Sequence, residues 1–337
     1  MVSGRFVLKR LLLLIPVLIG VATFVFAMLH LSPGDPARLI AGRRASREFV
    51  QQVRTELGLN RPMYVQYIDF LTDIVQLEFG DSYQVQQGEP VKSILIERFP
   101  VTLELAILGQ IAGILFGIPL GIISAIKQDS WTDHLARVGA LAGISVPIFW
   151  SGPLLIMLFG VYLGWFPTFG RIGTQYDVAW VTNMVILDTA MALNPDAFVS
   201  ALKHLLLPVL TLGIYSMALT SRMMRSSLVE VVRKDYMRTA RAKGQGSRIT
   251  IMKHGFRNAF IPVITVIGIQ FGTLLGGAIL TETVFTINGI GTLLVEAINS
   301  SDYPVVQGTV LLFALLFTLV NLGVDITYSY LDPRIEQ

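Results

Sequence analysis

The segment formed by residues 235–244, which reads Asp-Tyr-Met-Arg-Thr-Ala-Arg-Ala-Lys-Gly, has the residue types and spacing of a recognition element. Asp235 and Arg238 are spaced i,i+3, which allows an acid and a base to pair on one face of a helix. Gly244 is a favoured residue for ending such a helix. The pattern predicts a short helix that docks onto a macromolecule. The alternative is an ordinary positively charged loop that only fixes membrane topology.

The rest of the sequence offers no grouping of residues suited to catalysis. It lacks the phosphate-binding pattern Gly-x4-Gly-Lys-Ser/Thr, so we do not expect this chain to hydrolyse ATP. No paired carboxylates, histidine cluster or Ser-His-Asp grouping stands out, and the absence of cysteine excludes disulfides, thiolate metal ligands and a cysteine nucleophile. We expect no catalytic residue, no metal site and no cofactor here, which makes a membrane-embedded enzyme the weakest hypothesis.

The composition places these residues in a membrane protein. The chain has 337 residues, of which 53% are hydrophobic and 15% are charged, and this is too apolar for a typical soluble protein. Six runs without Asp, Glu, Lys or Arg predict six transmembrane helices, at residues 11–34, 105–126, 138–170, 205–221, 258–281 and 303–324. Most exceed the ~20 residues that cross a bilayer. The first run could be a signal peptide, but it is longer than the usual ~7–15 residue apolar core.

Basic residues predict the orientation of these helices. With a cytoplasmic N-terminus, the inner segments hold 16 Lys or Arg in about 64 residues, and the outer segments hold 10 in about 129. This asymmetry follows the positive-inside rule and predicts that both termini are cytoplasmic. Residues 225–257 contribute a net charge of +7.

Two soluble segments have helical patterns. Outside the membrane, one apolar stripe ends at Gly58 and a second begins with Tyr64, which predicts a small helical subdomain. Inside, a single stripe is formed by Leu228, Val231, Val232 and Tyr236, and Ser247 is expected to cap a further helix.

Glycines recur every four residues in two predicted spans. Gly113, Gly117 and Gly121 lie in the second span; Gly268, Gly272 and Gly276 lie in the fifth. This spacing places each set on one helical face, where neighbouring backbones can approach closely. The alternative is a sliding interface for alternating access, with kinks at Pro119 and Pro147.

Glu104, Glu282 and Asp325 lie within about one turn of predicted span ends, where interfacial placement or a hydrogen bond between helices would satisfy them. A proton-coupled secondary transporter is expected to have carboxylates deep in its spans, and a channel is expected to have a filter segment. Neither pattern is visible in the sequence.

The inner loop resembles the EAA loop of type I ABC importer permeases, whose pattern is Glu-Ala-Ala, three residues, Gly, and later Pro. The matching positions here are Arg238, Thr239, Ala240, Gly244 and Pro262. An arginine at the Glu position is typical of the peptide branch. Further similar motifs are Pro-Gly-Asp-Pro at 33–36, Leu-Gly-Leu-Asn-Arg-Pro at 57–62, Phe-Gly-Asp-Ser-Tyr at 79–83, Pro-Ile-Phe-Trp at 147–150, Thr-Glu-Thr-Val-Phe at 281–285 and Asp-Tyr-Pro-Val-Val-Gln-Gly at 302–308.

Together these motifs make the chain similar to the first permease subunit of bacterial dipeptide and oligopeptide ABC importers. The resemblance implies a second homologous permease, two ABC ATPase subunits that carry ATP and Mg, a periplasmic substrate-binding protein, surrounding membrane lipid and no nucleic acid partner. It also implies that a coupling helix from Val232 to Lys243 contacts the ATPase. The coupling residues would be Asp235, Tyr236, Arg238, Thr239, Ala240, Ala242 and Gly244, with Ala240 and Ala242 small enough for close docking.

The expected fold is therefore an all-α polytopic permease of the bacterial inner membrane. Its expected parts are an N-terminal helix at 1–34, a periplasmic helical subdomain at 35–100, and a core at 101–337 that contains the cytoplasmic coupling loop 225–258. Nickel, glutathione, haem, an antimicrobial peptide or an opine-like compound remains possible as the substrate in place of a dipeptide or oligopeptide, because the external binding protein largely selects it.

Overall fold

The computed structural model describes residues 4–31, 37–38, 46–56 and 58–331. The predicted motif at 33–36 lies outside these residues. Helices dominate the described residues, which contain one isolated antiparallel bridge between Asp81 and Pro90. In chain order the helices are α1 (Gly4–Leu31), α2 (Arg47–Glu56), α3 (Met63–Gln76), α4 (Val91–Ile126), α5 (Trp131–Ser145), α6 (Ile148–Leu155), α7 (Val185–Met191), α8 (Pro195–Val232), α9 (Asp235–Ala242), α10 (Ser247–Ile249), α11 (Arg257–Phe285), α12 (Ile290–Ser300) and α13 (Tyr303–Leu331).

The described helices provide five spans, or six when one bent pair is counted as a span. The five are Leu11–Met28, α4, α8, the combined segment Ser247–Phe285 and Tyr303–Val324. The bent pair consists of α5 and the segment Ile148–Tyr162, whose axes differ by 106°. The prediction of an all-α protein with six spans is confirmed when this pair is counted as one span.

The bent pair corrects the predicted span at 138–170. Helix α5 begins at Trp131, and the chain breaks at Val146 and Pro147 before α6 begins. Val146 has an extended backbone with φ −80° and ψ 122°, the conformation that a following proline favours. The predicted kink at Pro147 is therefore a full break, whereas Pro119 lies inside α4.

Helices α4 and α8 extend beyond their predicted apolar runs. Helix α4 has 36 residues and α8 has 38, and at ~1.5 Å per residue each exceeds the ~30 Å hydrocarbon thickness. A run of uncharged residues predicts only the apolar part of a helix, and both helices continue past that part into segments that contain charged residues.

Contacts divide the chain into two compact units. Of the described residues, the first unit contains 4–6, 100–291 and 319–331. Within it, α8 contacts α5, α6, α7 and α11 and is the central helix. One of its cores consists of the buried residues Met224, Leu228, Val231, Ile251, Ala259 and Val263. This core joins α8 to the segment that follows α9.

The second unit contains the described residues between 7 and 99, together with 292–318. Helices α2 and α3 confirm the two helical stripes that were predicted on either side of Gly58. In this unit two side-chain hydrogen bonds join α1 to α3. The hydroxyls of Thr23 and Tyr67 are 2.7 Å apart, and His30 Nε2 is 3.1 Å from Gln66 Oε1. The expected domain bounds at 34 and 100 remain a prediction.

A buried carboxylate organises the loop before α4 in the second unit. Asp302 Oδ2 accepts a hydrogen bond from Ser82 Oγ at 2.6 Å and others from the N–H groups of Tyr83, Gln84 and Val85 at 3.1, 2.9 and 3.0 Å. Burial of Asp302 acts to raise its pKa, but these four donors outweigh burial and leave the pKa below its ordinary value. Two of the motifs found in the sequence therefore meet in space.

Candidate functional site

The predicted docking helix exists, but it begins later than expected. Helix α8 ends at Val232, and Lys234 has an extended backbone with φ −71° and ψ 150° before α9 starts at Asp235. The expected helix from Val232 to Lys243 is therefore corrected to Asp235–Ala242. Val232 is the last residue of α8, and a two-residue turn, Arg233 and Lys234, separates α8 from α9.

Gly244 ends α9 with a Schellman motif. Its amide donates to the carbonyl oxygen of Arg241 at 2.9 Å, and the amide of Gln245 donates to that of Ala240 at 3.3 Å. Gly244 has φ +81°, in the left-handed region that glycine adopts without steric cost. The predicted helix end at Gly244 is confirmed.

Helix α9 is attached to the protein through one buried side chain, Met237, which is fully buried. A methyl group placed on Gly255 would lie 3.3 Å from both Met237 Cε and Leu228 Cδ1, so these three residues are close neighbours. The predicted stripe that ran through Tyr236 is wrong, because Leu228 and Val231 are buried on α8 while Tyr236 is 42% exposed. Sequence reasoning missed Met237, although it is the only large aliphatic side chain in α9.

The other residues of α9 face outward. Asp235, Tyr236, Arg238, Thr239 and Ala242 are exposed, and Ala240 is half-buried. Arg238 Nη1 lies 3.7 Å from Asp235 Oδ1, which confirms the predicted i,i+3 pair. Such exposed pairs contribute little to stability. The outward face of α9 therefore offers both charges and small side chains to a partner.

The segment after Gly244 differs from the prediction. Gly246 is the N-cap of α10, and Ser247 is the first helical residue without a capping bond from its side chain. The helix then widens into a π-helical stretch, Thr250–Phe256, before α11 begins. Ile249 and Met252 are 57% and 48% exposed there. They add apolar surface to the same loop as α9.

The glycines of α4 face α8 closely. A methyl group on Gly117 would lie 2.8 Å from the carbonyl oxygen of Met217 and 2.9 Å from Thr220 Cβ. A methyl group on Gly121 would lie 2.6 Å from Met224 Cβ, and one on Gly113 would collide with the side chain of Ser216. Gly109, which the sequence analysis omitted, extends this row by one turn and faces Leu212.

The glycines of α11 have a different environment. Gly268 faces the side chain of Val324 on α13, and Gly272 is half-buried. A methyl group placed on Gly276 would have no atom of the described residues within 4 Å. Each predicted glycine is therefore located, but α11 does not present one continuous close contact. A role of either row in gating remains a prediction.

Buried polar side chains link the spans of the first unit. Ser216 Oγ on α8 donates to Gln270 Oε1 on α11 at 2.8 Å and accepts from Gln110 Nε2 on α4 at 3.0 Å. Thr102 Oγ1 donates to Glu282 Oε1 at 2.5 Å. Such bonds hold helices together in lipid, at about 0.6–2 kcal/mol each.

Glu282 and Glu104 are buried, at 0% and 4% exposure. Glu104 accepts hydrogen bonds from the amides of Val185 and Ile186 at 2.9 and 2.8 Å. The predicted alternative of hydrogen bonding is confirmed for both carboxylates. The side chain of Asp325 lies outside the described residues. Among the described residues, no group of three or more His, Cys, Asp or Glu side chains could hold a metal ion.

Comparison with known proteins identifies the family of this architecture. Residues 117–337 match the family described as binding-protein-dependent transport system inner membrane component, and residues 3–106 match the corresponding N-terminal membrane component. The chain belongs to this family. It is a multi-pass membrane protein with the fold of type I ABC importer permeases, and α9 lies within the matched region.

Several family members are similar over nearly their whole length. The chain is 44% identical over 331 residues to the dipeptide transport system permease protein of Alkalihalophilus pseudofirmus, covering 98% of this chain and 99% of that protein. It is 44% identical over 335 residues to the dipeptide transport system permease protein of Escherichia coli (strain K12), covering 98% of each. It is also 44% identical over 331 residues to the glutathione transport system permease protein of Salmonella typhimurium, with 98% of each covered.

Proposed function

We propose that this chain is the permease subunit of an ATP-driven importer and forms half of the path by which dipeptides or short oligopeptides cross the bacterial inner membrane. The observation that carries this proposal is α9, a short helix held by one buried methionine and ended by a glycine turn, with its remaining face exposed. Similarity to dipeptide permeases over 98% of the chain supports the substrate class.

Force enters the permease at α9 in this proposal. Two ABC ATPase subunits bind ATP and Mg, and one of them contacts the exposed face that contains Asp235, Tyr236, Arg238, Thr239 and Ala242, with Ala240 and Gly244 beside it. When the ATPases close on ATP, α9 moves with them and Met237 transmits the movement to α8 and the π-helical stretch. In this proposal ATP hydrolysis belongs to the ATPase subunits, and the chain itself supplies no catalytic residue and binds no cofactor.

The second half of the pathway comes from a homologous permease, and a periplasmic binding protein delivers the peptide. The density of basic residues supports cytoplasmic termini and a cytoplasmic α9. This orientation places α2 and α3 on the periplasmic side, where the binding protein docks. No nucleic acid takes part, and membrane lipid surrounds the spans.

Glutathione is the second candidate substrate, because a glutathione permease has the same 44% identity to this chain. Substrate choice rests largely with the binding protein, so the two candidates are separated outside this chain. Measuring which peptides the matching binding protein retains tests this directly. Dipeptide binding without glutathione binding supports the first candidate, and the reverse result supports the second.

The importer class is tested by purification from mild detergent. We expect two ATPases and a second permease to co-purify, and vesicles that contain the complex to accumulate peptide only with ATP and the binding protein. Peptide uptake by this chain alone, without an ATPase, contradicts the proposal.

A further inference from the structure

A small cavity rich in arginine lies among α4, α5 and α8 in the first unit, with a volume of about 280 Å³. Three guanidinium groups and three hydroxyls surround it, and three apolar side chains complete its wall. The residues that line it are Ser124, Ala136, Arg137, Ala140, Leu141, Ser221, Arg222, Arg225 and Ser226.

Arg225 is already neutralised by a buried acid. Asp133 is fully buried and accepts two hydrogen bonds from Arg225, at 2.6 Å from Nε and 2.7 Å from Nη2. The same carboxylate accepts from Ser124 Oγ at 2.5 Å and from the amide of Asp129 at 3.0 Å. These four bonds occupy the acceptor sites of Asp133 and fix Arg225 in the cavity wall.

Arg137 and Arg222 supply positive charge beyond this pair. Arg137 Nε lies 3.6 Å from Asp133 Oδ1, which is too long for a hydrogen bond. Among the described residues this buried Nε has no hydrogen-bond partner, although Arg137 Nη2 lies 2.6 Å from His134 Nδ1. Arg222 is exposed at the cavity edge. The three arginines of the lining together with Asp133 therefore carry two more positive than negative charges, and Arg137 Nε is an unused N–H donor.

We propose that this cavity binds the phosphate group of an anionic phospholipid. Guanidinium forks and hydroxyls are well suited to phosphate oxygens. A lipid accounts for the remaining wall better than free phosphate does, because Ala140 and Leu141 are apolar and Leu141 is 55% exposed. Val138 on the same helix is 64% exposed and extends this apolar surface. The headgroup phosphate binds at the arginines, and an acyl chain lies along α5.

The test uses the full chain with whatever partners co-purify in mild detergent, and it does not depend on the transported substrate. Native mass spectrometry compares retention of phosphatidylglycerol with that of phosphatidylcholine, which carries no net charge. We expect tighter retention of one phosphatidylglycerol per copy of the chain. Arg222→Gln is expected to weaken it about fivefold, the effect of one basic residue near a membrane surface, and Arg137→Gln together with Arg222→Gln is expected to weaken it further.

Arg233→Gln is the matched control, because it removes one arginine from the C-cap of the same helix, outside the cavity lining. Its phosphatidylglycerol retention should equal that of the unaltered chain. Equal retention of the two lipids, or equal loss in Arg222→Gln and Arg233→Gln, overturns the proposal. Inorganic phosphate that binds in an Arg222-dependent way, with no phosphatidylglycerol retained, overturns the lipid assignment in favour of a soluble anion.

Discussion

Helices α4 and α11 carry the same pattern of three glycines at intervals of four residues, yet the structure uses the two rows differently. On α4, Gly117 and Gly121 meet the backbone and Cβ atoms of α8. On α11, Gly268 meets a valine side chain and Gly276 meets no described atom within 4 Å. The spacing therefore predicts which face can pack closely, but the neighbouring helix decides whether it does.

The largest expected effect comes from filling the α4 contact. Gly117→Ala places a methyl group 2.8 Å from the carbonyl oxygen of Met217, and relief requires the backbone of α8 to move. We expect the free energy of unfolding to fall by about 3 kcal/mol, at the upper end of overpacking costs. Thermal unfolding in detergent measures the loss.

Gly276→Ala is the matched control for Gly117→Ala, because both replace a mid-helix glycine and gain the same helix propensity. Its methyl group meets no described atom within 4 Å, so stability should be unchanged or slightly higher. Equal unfolding temperatures for the two variants would mean that the contrast between α4 and α11 is wrong.

A second pair of glycines distinguishes the effect of a left-handed backbone conformation from the effect of limited space for a side chain. Gly244 and Gly246 both have open space where an added methyl group would lie, but Gly244 has φ +81° and Gly246 has φ −59°. Gly244→Val should therefore strain the end of α9 by about 1–2 kcal/mol, while Gly246→Val should be accepted.

The readout for this pair is coupling in reconstituted vesicles. We expect Gly244→Val to insert normally and hydrolyse ATP, but to lose about tenfold in uptake per ATP, which corresponds to about 1.4 kcal/mol. Gly246→Val should retain coupling. Full substrate-stimulated hydrolysis and full uptake in Gly244→Val would contradict the role of the Schellman turn.

A smaller effect is expected where a glycine meets a side chain that can adjust. Gly268→Ala collides with Val324, whose side chain can change rotamer, so a destabilisation of about 1 kcal/mol is expected. Val324→Ala in the same chain should restore most of that loss. A double variant as unstable as the sum of the two single variants would show that Val324 is not the obstacle.

The smallest expected effect is the pH-dependent stabilisation by the buried carboxylate of Asp302. The folded pKa of Asp302 is lowered, so its contribution to stability is present above the unfolded pKa of about 3.9 and is lost as pH falls through the folded pKa. Asp302→Asn lacks this charge. The difference in unfolding temperature between the unaltered chain and Asp302→Asn should therefore narrow below about pH 4; a constant difference would argue against the carboxylate.

The sequence predicts the existence and the end of α9 better than its beginning. Its end is marked by Gly244, because the left-handed backbone conformation at this position favours glycine. No glycine or proline directly precedes its beginning at Asp235. The apolar stripe of α8 therefore continues into α9 in the sequence, with no sign of the break between the two helices. The buried side of α9 depends on Met237 meeting Gly255, and no local pattern reports a contact between residues 18 positions apart.

Other features depend on which helices become neighbours. Pro147 marks the break between α5 and α6 in the sequence, but the 106° angle between the two helices is not encoded in any local pattern. Gln110, Ser216 and Gln270 are ordinary residues in three separate apolar runs, and only assembly brings them together. The arginine cavity is also not predictable from the sequence. Arg137 and Arg222 are counted among the basic residues that predict the membrane orientation, but nothing in their spacing indicates that both line one cavity.

The central claim, that the ATPase acts on the permease through contact with α9, can be tested with single cysteines because the chain contains none. A cysteine is placed at Thr239 on the exposed face of α9, or at Tyr64 on α3, which is 69% exposed. Each complex is then treated with a short crosslinker that joins the cysteine thiol to a lysine amine. The account predicts a covalent product with the ATPase from Thr239→Cys and none from Tyr64→Cys. No ATPase product from Thr239→Cys in an intact complex, or equal products from both positions, would contradict it.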